Sequence, residues 1–303
     1  MPSDFVVIIL THNEERNLPG CLDSLKDLAN QIFIVDSGST DRTLEIIKER
    51  GIDHVHHPFE NYSKQRNWAQ AHCPFESEWV LHLDADERLS PEMVTWLNDS
   101  FDPNASYDGY LFSRRTVFFG KFIRYGGHYP NYHLRLYRKS KGRCEDKLYD
   151  QHFICDGPLC TVRKGTDIID TVTNSLEEFS RSHVRWAMFE AISQLSQNGQ
   201  NAESVEAKAT GGARERRRWL KSSVYGKFPL FVRTFSYFLV RYFLRGGFLD
   251  GRQGLVFHVI QGFWFRFLID AMVLELRNKM KKGKTLREVL EADYPPQYLK
   301  LLD

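Results

Sequence analysis

The sequence predicts an α/β fold built around a parallel sheet, with a helical region at its C-terminal end. In the first 90 residues, short apolar runs typical of buried strands alternate with stretches that have helical spacing. Such alternation places helices on both faces of a parallel sheet. From Leu176 onward, apolar residues recur at helical intervals. We therefore expect two regions, 1–175 and 176–303, of which the second is rich in aromatic residues and arginine.

The alternating elements follow one another closely along the chain. Their strand-like runs are mainly apolar, as in strands that are covered on both faces. Gly51 ends the second helix, because glycine readily adopts the backbone conformation that follows a helix C-terminus. The predicted strands are 5–10, 31–35, 52–56 and 79–83, and the predicted helices between them are 18–28, 43–50 and 62–71.

The alternation breaks down after about residue 105. Glycines at 120, 126 and 127 mark turns between two further strands. A second group of glycines at 246–251 interrupts the helical part of the chain. The further strands are predicted over 107–119 and 133–137, and the C-terminal helices over 176–197, 214–243 and 255–280.

The composition narrows the class of protein. Lysine and arginine number 41 and aspartate and glutamate 39, so no global field favours binding to nucleic acid. Five cysteines, an odd and scattered set, argue against a disulfide framework and for a reducing compartment. The N-terminus lacks the pattern of a signal peptide, and no stretch reaches about 18 uncharged apolar residues. We expect a cytoplasmic protein without a conventional spanning helix.

Polar residues follow three of the predicted strands, at 11–14, 36–39 and 84–86. We expect them to lie close together, because ligands of parallel sheets bind beyond the carboxyl ends of the strands. Asp84 and Asp86, one residue apart, can chelate a hard divalent cation that also takes phosphate oxygens. Solvated loop ends are the alternative interpretation for these acids, and for Asp36 in particular.

Together these motifs resemble the nucleotide-sugar domain of family 2 glycosyltransferases, which have the GT-A fold, a Rossmann-like mixed sheet. Four blocks carry the resemblance in order and spacing: Thr-His-Asn-Glu-Glu at 11–15, Asp-Ser-Gly-Ser-Thr-Asp at 36–41, Lys-Gln-Arg-Asn at 64–67 and Asp-Ala-Asp-Glu at 84–87. Less tightly matched segments at 124–127, 135–137, 145–150 and 247–251 make the chain similar to bacterial enzymes that add sugars to lipopolysaccharide core or related surface glycans.

The resemblance implies a nucleotide-sugar site. Asp36 would accept a hydrogen bond from the base N–H, because a carboxylate is only an acceptor. Asp84 would hold hydroxyls of the sugar or ribose. Asp86 would bind Mn²⁺ or Mg²⁺ at the diphosphate, where the cation stabilises the charge on departing UDP. The other implied residues line the pocket or close over the base and ribose: Thr11, Asn13, Glu14, Lys64, Arg66 and Asn67.

An inverting transferase also needs a carboxylate that removes the proton of the acceptor hydroxyl. The pair Glu145-Asp146 resembles the acidic base motif of the family, and we favour Asp146 over Glu145. The match is imperfect, because related core glucosyltransferases carry a Val-His-Glu-like triplet where this chain has Cys144-Glu145-Asp146. A surface acid pair beside Lys147 is the alternative interpretation.

Two other groups have less specific patterns. His183 lies on a predicted helix with Trp186 and Phe189, which favours a packed or hydrogen-bonded histidine over a catalytic one. A group of three cysteines and one histidine between residues 144 and 160 fits paired zinc motifs poorly, so we favour free, partly buried thiols over a zinc site. Its members are Cys144, His152, Cys155 and Cys160.

The C-terminal segments 229–243 and 256–276 carry aromatic residues at helical spacing, interrupted by arginines. One interpretation is a pair of core helices. The other is an interfacial surface, in which arginines reach lipid phosphates and phenylalanines enter the acyl boundary, with the basic cluster at 214–218 nearby. Peripheral association with an anionic membrane would suit a lipid-linked acceptor.

The predicted function is an inverting, metal-dependent transfer of a hexose from a UDP-sugar to a glycolipid or lipopolysaccharide intermediate at the cytoplasmic face of a membrane. A sugar-nucleotide nucleotidyltransferase is one alternative, but the first strand lacks the glycine-rich, basic loop that cradles a triphosphate. A non-catalytic, membrane-associated glycan-binding protein is another. The acids at 36, 84, 86 and 146 argue against it.

Overall fold

The computed structural model describes residues 5–28, 31–146, 151–172, 175–196, 228–281 and 283–302. The chain divides into two compact units, which are Met1–Val117 with Tyr129–Val172, and Phe118–His128 with Thr173–Asp303. The basic cluster predicted to support membrane binding, at 214–218, lies outside the described residues, as does the first part of the helix predicted over 214–243. The separate roles predicted for 1–175 and 176–303 stay predictions.

The first unit is built on a mixed sheet. In the order of the chain, the strands of the protein are β1 (Phe5–Thr11), β2 (Ile32–Asp36), β3 (His54–His56), β4 (Trp79–Asp84), β5 (Glu87–Leu89), β6 (Gly109–Phe118), β7 (Lys121–Phe122), β8 (Tyr132–Arg138), β9 (Gly142–Cys144), β10 (Phe153–Cys155), β11 (Leu159–Thr161) and β12 (Asp167–Thr171). Of these, β9 and β10 form a separate two-stranded sheet, and β7 falls within the residues of the second unit.

The order of the strands in this sheet is β3-β2-β1-β4-β8-β6-β12-β5, and the pairings are all parallel in its first half and mixed in its second half. The strands from β3 to β4 are parallel to one another. β8 runs antiparallel to β4 and β6, whereas β12 runs parallel to β6. The predicted α/β class and the parallel arrangement of the first strands are therefore confirmed.

The apolar runs of the central strands pack on both faces of the sheet. Val7 and Ile9 of β1 belong to one core cluster, whereas the alternating Val6 and Ile8 belong to another. All four side chains are fully buried. Because successive side chains of a strand point to opposite faces, a strand covered on both faces has to be apolar at every position.

Helices connect the strands of the first unit and make up most of the second. They are α1 (Leu18–Asp23), α2 (Thr43–Glu49), α3 (Tyr62–Ala71), α4 (Pro91–Asp99), α5 (Leu176–Leu195), α6 (Val232–Leu239), α7 (Gly251–Phe257), α8 (Phe265–Met280) and α9 (Leu286–Asp293). Single π-helical segments follow α6 (Val240–Leu244) and α7 (His258–Trp264), and 3₁₀ turns occupy Gly247–Asp250 and Pro296–Leu301.

Several elements were absent from the sequence prediction, including α4 and α9. Both begin with local signals that the sequence contains. Ser90 caps α4 through a bond from the Met93 backbone N–H to its hydroxyl (3.2 Å), and Pro91 occupies the first turn. Thr285 and Glu288 form a reciprocal capping box at the start of α9. The short strands β5 and β12 were also missed.

The second unit has its own apolar core between α5, α8 and α9. His183 is buried there; its Nδ1 lies 2.7 Å from the Phe179 carbonyl oxygen, and its ring stacks on that of Phe179. The prediction of a packed, hydrogen-bonded histidine is therefore confirmed.

A buried ion pair joins α6 to α8 in this core. Arg233 Nε donates to Asp270 Oδ1 over 2.7 Å, and neither side chain is more than 5% exposed. The other oxygen of Asp270 accepts hydrogen bonds from the Phe231 backbone N–H (2.7 Å) and the Thr234 hydroxyl (2.9 Å). Asp270 therefore compensates the buried arginine and also holds the start of α6.

We expect Asp270→Ala to lower the free energy of unfolding by about 3–5 kcal/mol, because it leaves the Arg233 charge buried without its carboxylate. Urea unfolding followed by circular dichroism measures the loss. The control is Glu177→Ala, which breaks the pair with Arg181 whose side chains are 80% and 79% exposed, and should change stability by less than about 1 kcal/mol. Equal losses of unfolding free energy in both variants would contradict the role of Asp270 as the compensating partner of Arg233.

Candidate active site

The carboxyl ends of neighbouring parallel strands bring the predicted polar residues together. Thr11, at the end of β1, lies opposite Asp36, at the end of β2. On the other side of β1, Leu10 lies opposite Asp84, at the end of β4. The prediction that these polar segments share one edge of the sheet is therefore confirmed.

Asp36 organises the loop that follows β2. Its Oδ1 accepts hydrogen bonds from the Thr11 hydroxyl (3.0 Å) and the Ser39 hydroxyl (2.5 Å). Its Oδ2 accepts from the backbone N–H groups of Gly38 (2.8 Å) and Ser39 (2.9 Å). Burial opposes ionisation, but these bonds outweigh it and hold the pKa of Asp36 below its usual value.

These four bonds engage both oxygens of the Asp36 carboxylate, which is 1% exposed. A hydrogen bond from a nucleotide base would have to replace one of them or share an oxygen with them. The predicted contact of Asp36 with the base thus stays a prediction. The structure gives this carboxylate a role in holding the loop.

Asn13 and Glu14 lie in the loop after β1. Asn13 has a positive φ of 57°, and its side-chain oxygen accepts a hydrogen bond from the Thr40 backbone N–H (2.8 Å). Glu14 accepts a hydrogen bond from Asn17 (2.9 Å). Burial raises the pKa of Glu14, although the bond from Asn17 opposes the rise. Asn13 therefore ties the loops after β1 and β2 to each other.

Asp84 is held by two arginines. Arg66 Nη2 lies 2.8 Å from Asp84 Oδ1, and Arg135 Nη2 lies 3.1 Å from Asp84 Oδ2. The same Arg135 nitrogen lies 2.6 Å from Glu87 Oε1, while Glu87 Oε2 accepts the Asp84 backbone N–H (3.0 Å). Burial opposes ionisation of Asp84, but the two guanidinium groups hold its pKa well below the usual range.

A third arginine extends this network. Arg114, on β6, lies 2.9 Å from Asp170 through Nη2, and its Nε lies 3.7 Å from Glu87 Oε1. Asp170 and Glu87 are opposite one another on β12 and β5, and both are buried. Burial raises the pKa of Glu87 despite the two arginines beside it. The sheet pairing therefore concentrates carboxylates and guanidinium groups behind the loop of Asp84 and Asp86.

Asp86 is the carboxylate that this network does not pair. Its side chain has no hydrogen bond or ion pair with the residues that the structure describes. Burial, followed by the charges of Asp170, Asp84 and Glu87, raises its pKa well above the usual value. Three arginines face four carboxylates, and Asp86 is the carboxylate that forms no ion pair with them.

This arrangement suits a hard divalent cation. Oxygen ligands and excess negative charge favour Mg²⁺ or Mn²⁺, which are commonly bound by one or two carboxylates together with substrate phosphates. Within the described ranges, no group of three or more histidine, cysteine, aspartate or glutamate side chains could hold a metal ion. A cation at Asp86 would therefore need oxygens from the substrate to complete its ligands.

The predicted pocket residues Lys64 and Asn67 already have protein partners. Lys64 Nζ lies 2.5 Å from Glu60 on an exposed surface. Asn67 donates to the Cys144 carbonyl (3.0 Å) and accepts from the Cys144 backbone N–H (2.8 Å), which fastens β9 to α3. Their contacts with a base and ribose stay predictions, and for Asn67 such a contact competes with the backbone of β9.

The two acids proposed as the base differ in exposure. Glu145 is 1% exposed, and its carboxylate accepts the His152 backbone N–H (3.3 Å) and lies 3.8 Å from His152 Nδ1. Asp146 is exposed. Of the two acids, Asp146 is thus the one whose side chain is accessible to solvent.

All five cysteines are free thiols. Cys144 and Cys155 lie on the paired strands β9 and β10, whereas Cys160 lies on β11. Together with His152 they form no metal-holding group within the part of the chain that the structure describes.

Sequence reasoning gave no role to Glu87, Arg114, Arg135 or Asp170. Arg135 did carry a signal, because it stands between two leucines of a predicted strand and a buried charge needs a partner. Its partner could not be identified from the sequence. The pairing of β5 with β12, which brings Asp170 opposite Glu87, joins residues that are far apart along the chain.

Comparisons with known proteins identify sequences and a structure to which this chain is similar. The family model described as Glycosyl transferase family 2 matches residues 6–167. An uncharacterized glycosyltransferase of Rickettsia typhi is 26% identical over 90% of this chain and 87% of its own length. LpsC of Rhizobium meliloti, a lipopolysaccharide core biosynthesis glycosyltransferase, is 29% identical over 52% of this chain and 60% of its own. The crystal structure of S. aureus TarS 1-349 in complex with UDP-GlcNAc covers 92% of each chain at 16% identity, with a TM-score of 0.44.

The family match extends from β1 to the start of β12 and contains the loops of Asp36, Asp84 and Asp86. It spans more than half of the chain. The mixed sheet with its parallel N-terminal part is the GT-A fold that the motifs predict. The chain therefore belongs to glycosyltransferase family 2.

Proposed function

We propose that this glycosyltransferase is inverting and metal-dependent, and that it moves a hexose from a UDP-sugar to a glycolipid or lipopolysaccharide intermediate. The observation that carries the proposal is the unequal pairing of two neighbouring acids. Asp84 is fixed by Arg66 and Arg135, whereas Asp86 has no hydrogen bond or ion pair with the residues that the structure describes.

Asp86 would hold Mn²⁺ or Mg²⁺. When bound, the cation would offset the negative charge that develops on the diphosphate leaving group. Asp84, held from two sides, can accept hydrogen bonds from sugar or ribose hydroxyls without moving. Arg135 Nη1 is buried and has no hydrogen-bond partner within the described residues. It can therefore donate a hydrogen bond to an oxygen of the UDP-sugar that reaches it.

The loops after β1 and β2 would receive the nucleoside. The bonds from Thr11 and Ser39 to Asp36 and from Thr40 to Asn13 fix these loops before a ligand binds. A site that is already ordered loses less conformational entropy on binding. The proposed order of contacts is the base near Asp36, the ribose near Arg66 and the diphosphate near Asp86.

Inversion requires a base on the side of the anomeric carbon opposite the leaving group. The base takes the proton from the acceptor hydroxyl while the oxygen forms its bond to the anomeric carbon and the bond to UDP breaks. Asp146 is the candidate, because its side chain is exposed whereas Glu145 is buried against His152.

The name of the Rhizobium meliloti relative, a lipopolysaccharide core glycosyltransferase, supports a lipid-linked surface glycan as the acceptor. Such an acceptor would place the enzyme at the cytoplasmic face of a membrane. No helix in the described part of the chain is long and apolar enough to span a bilayer. Family membership favours a transferase over the nucleotidyltransferase and over a non-catalytic glycan-binding protein.

We expect UDP to stabilise the protein only when Mn²⁺ or Mg²⁺ is present, by about 2.7 kcal/mol at a free UDP concentration ~100 times its Kd. Asp86→Asn should abolish this metal-dependent gain. It should leave the ligand-free protein equally stable or more stable, because it removes a charge that other carboxylates repel. Thermal unfolding with UDP, metal and a chelator measures both effects.

The control for Asp86→Asn is Asp99→Asn, which removes an exposed acid at the end of α4. This control should keep the full gain from UDP and metal. A metal-dependent gain that survives in Asp86→Asn would refute the role of Asp86, and an equal response to UDP after chelation would refute metal dependence.

We expect Asp146→Asn to bind the UDP-sugar as tightly as the natural chain but to transfer the sugar ~10²–10⁴-fold more slowly, because general-base catalysis contributes about that much. Glu145→Gln is the matched comparison and should reduce transfer much less. Isothermal titration measures binding, and UDP release measures transfer. Full activity in Asp146→Asn together with loss in Glu145→Gln would move the base to Glu145.

A screen of UDP-hexoses with a membrane extract as acceptor tests the substrate class. We expect one UDP-hexose to support UDP release that depends on the extract, on the divalent cation and on Asp86. Sugar donors with other nucleotides are tested in parallel. Release of the nucleotide from one of these donors, without release of UDP from any UDP-hexose, would contradict the UDP assignment. Release that needs only the soluble fraction would contradict a lipid-linked acceptor.

A further inference from the structure

The second unit leaves a group of large apolar side chains in water. On α6 and the segments that follow it, Leu244 is 81% exposed and Leu249 is 57% exposed. Transfer of such apolar side chains from water to an apolar environment is energetically favourable. We call this group the apolar face, and it consists of Phe235, Leu239, Phe243, Leu244, Phe248 and Leu249, all of them exposed.

The apolar face continues onto the neighbouring helical segments of the same unit. The Phe235 ring packs against Phe263 with ring centroids 4.9 Å apart, and Phe231 packs against Phe267 at the same distance. Phe267 is itself exposed. Through the half-buried rings of Phe231 and Phe263, these contacts connect α6 with the segment His258–Trp264 and with α8. A contiguous apolar patch of this kind marks a site of interaction with a protein or a membrane.

The exposed charged side chains of the segment 228–269 have one sign. Between residues 228 and 269 the sequence contains one acid, Asp250. Asp250 is 2% exposed and accepts the backbone N–H groups of Arg124 (3.1 Å) and Tyr125 (2.9 Å). Arg245 and Arg252, in contrast, are exposed. A partner for this surface must therefore combine an apolar part with negative charge.

We propose that the apolar face binds to the surface of an anionic lipid bilayer. In this arrangement the phenylalanine and leucine side chains enter the acyl boundary, while Arg245 and Arg252 contact lipid phosphates. Each basic side chain near an anionic leaflet adds to the attraction. A second copy of the chain fits less well, because a symmetric contact would bring the same arginines towards each other without acids to offset them.

The inference deepens the proposed function, since a bilayer is where a glycolipid acceptor is found. It rests on the proposed function only for the identity of that acceptor. The surface itself is defined by residues of the second unit, and its binding to lipid can be measured without nucleotide, metal or acceptor.

The test is sedimentation of the full-length protein with vesicles of phosphatidylcholine alone or mixed with phosphatidylglycerol. We expect capture by the anionic vesicles that weakens as salt is added, because salt screens the arginines. Leu244→Glu combined with Leu249→Glu should reduce capture at least ~10-fold, since it removes two inserted side chains and adds two repelled charges. Arg245→Gln combined with Arg252→Gln should reduce capture by anionic vesicles.

The matched control is Leu176→Glu combined with Val184→Glu, which alters two exposed apolar residues of α5 in the same unit. It should be captured like the natural chain. Equal capture of the control and the Leu244/Leu249 variant would overturn the proposal. The proposal would also be overturned if the natural chain did not bind vesicles but formed a dimer, and the Leu244/Leu249 variant did not form that dimer. UDP binding, measured on the same samples, tests the proposed function separately.

Discussion

The geometry of the site depends on one buried interaction, the contact of Arg135 with both Asp84 and Glu87. A buried guanidinium group requires carboxylates, and a buried carboxylate requires donors. Arg66 and Arg114 extend the same pairing to either side. The pairing uses three of the four carboxylates, and the fourth, Asp86, has no arginine partner. The protein thus pairs three of these acids with its own arginines and leaves Asp86, the acid that we propose as the metal ligand, without such a partner.

In the loops at the same edge of the sheet, motif side chains also form hydrogen bonds within the protein. Asp36 and Asn13 are motif residues, yet their side chains are engaged by Thr11, Ser39 and Thr40. Such bonds keep a loop in one conformation, which lowers the entropy cost of binding a ligand. In this chain, Asp36 and Asn13 therefore help to shape the loops at this edge of the sheet.

The second unit has a complete core and still leaves apolar side chains exposed. Its core is closed by the Arg233–Asp270 pair and by the packing of α5 against α8, so that the apolar face is not needed to complete the core. Burying it against another surface would gain free energy that folding of this unit has not used. The arginines that flank it, without exposed acids in 228–269, direct that gain towards anionic partners.

The sequence by itself determined the parallel strands and the edge that carries Thr11, Asp36 and Asp84, because apolar runs and strand-end polar residues are local signals. It also determined the family, through the spacing of four short blocks. Only the tertiary structure decided that Asp84 is paired while Asp86 is not, and that Glu145 is buried while Asp146 is exposed. It also decided that Phe257 and Phe265 are buried while Phe235, Phe243 and Phe248 stay exposed. Each of these depends on contacts between residues distant along the chain, such as Arg135 with Glu87 or Asp170 with Arg114, and no local pattern specifies such partners.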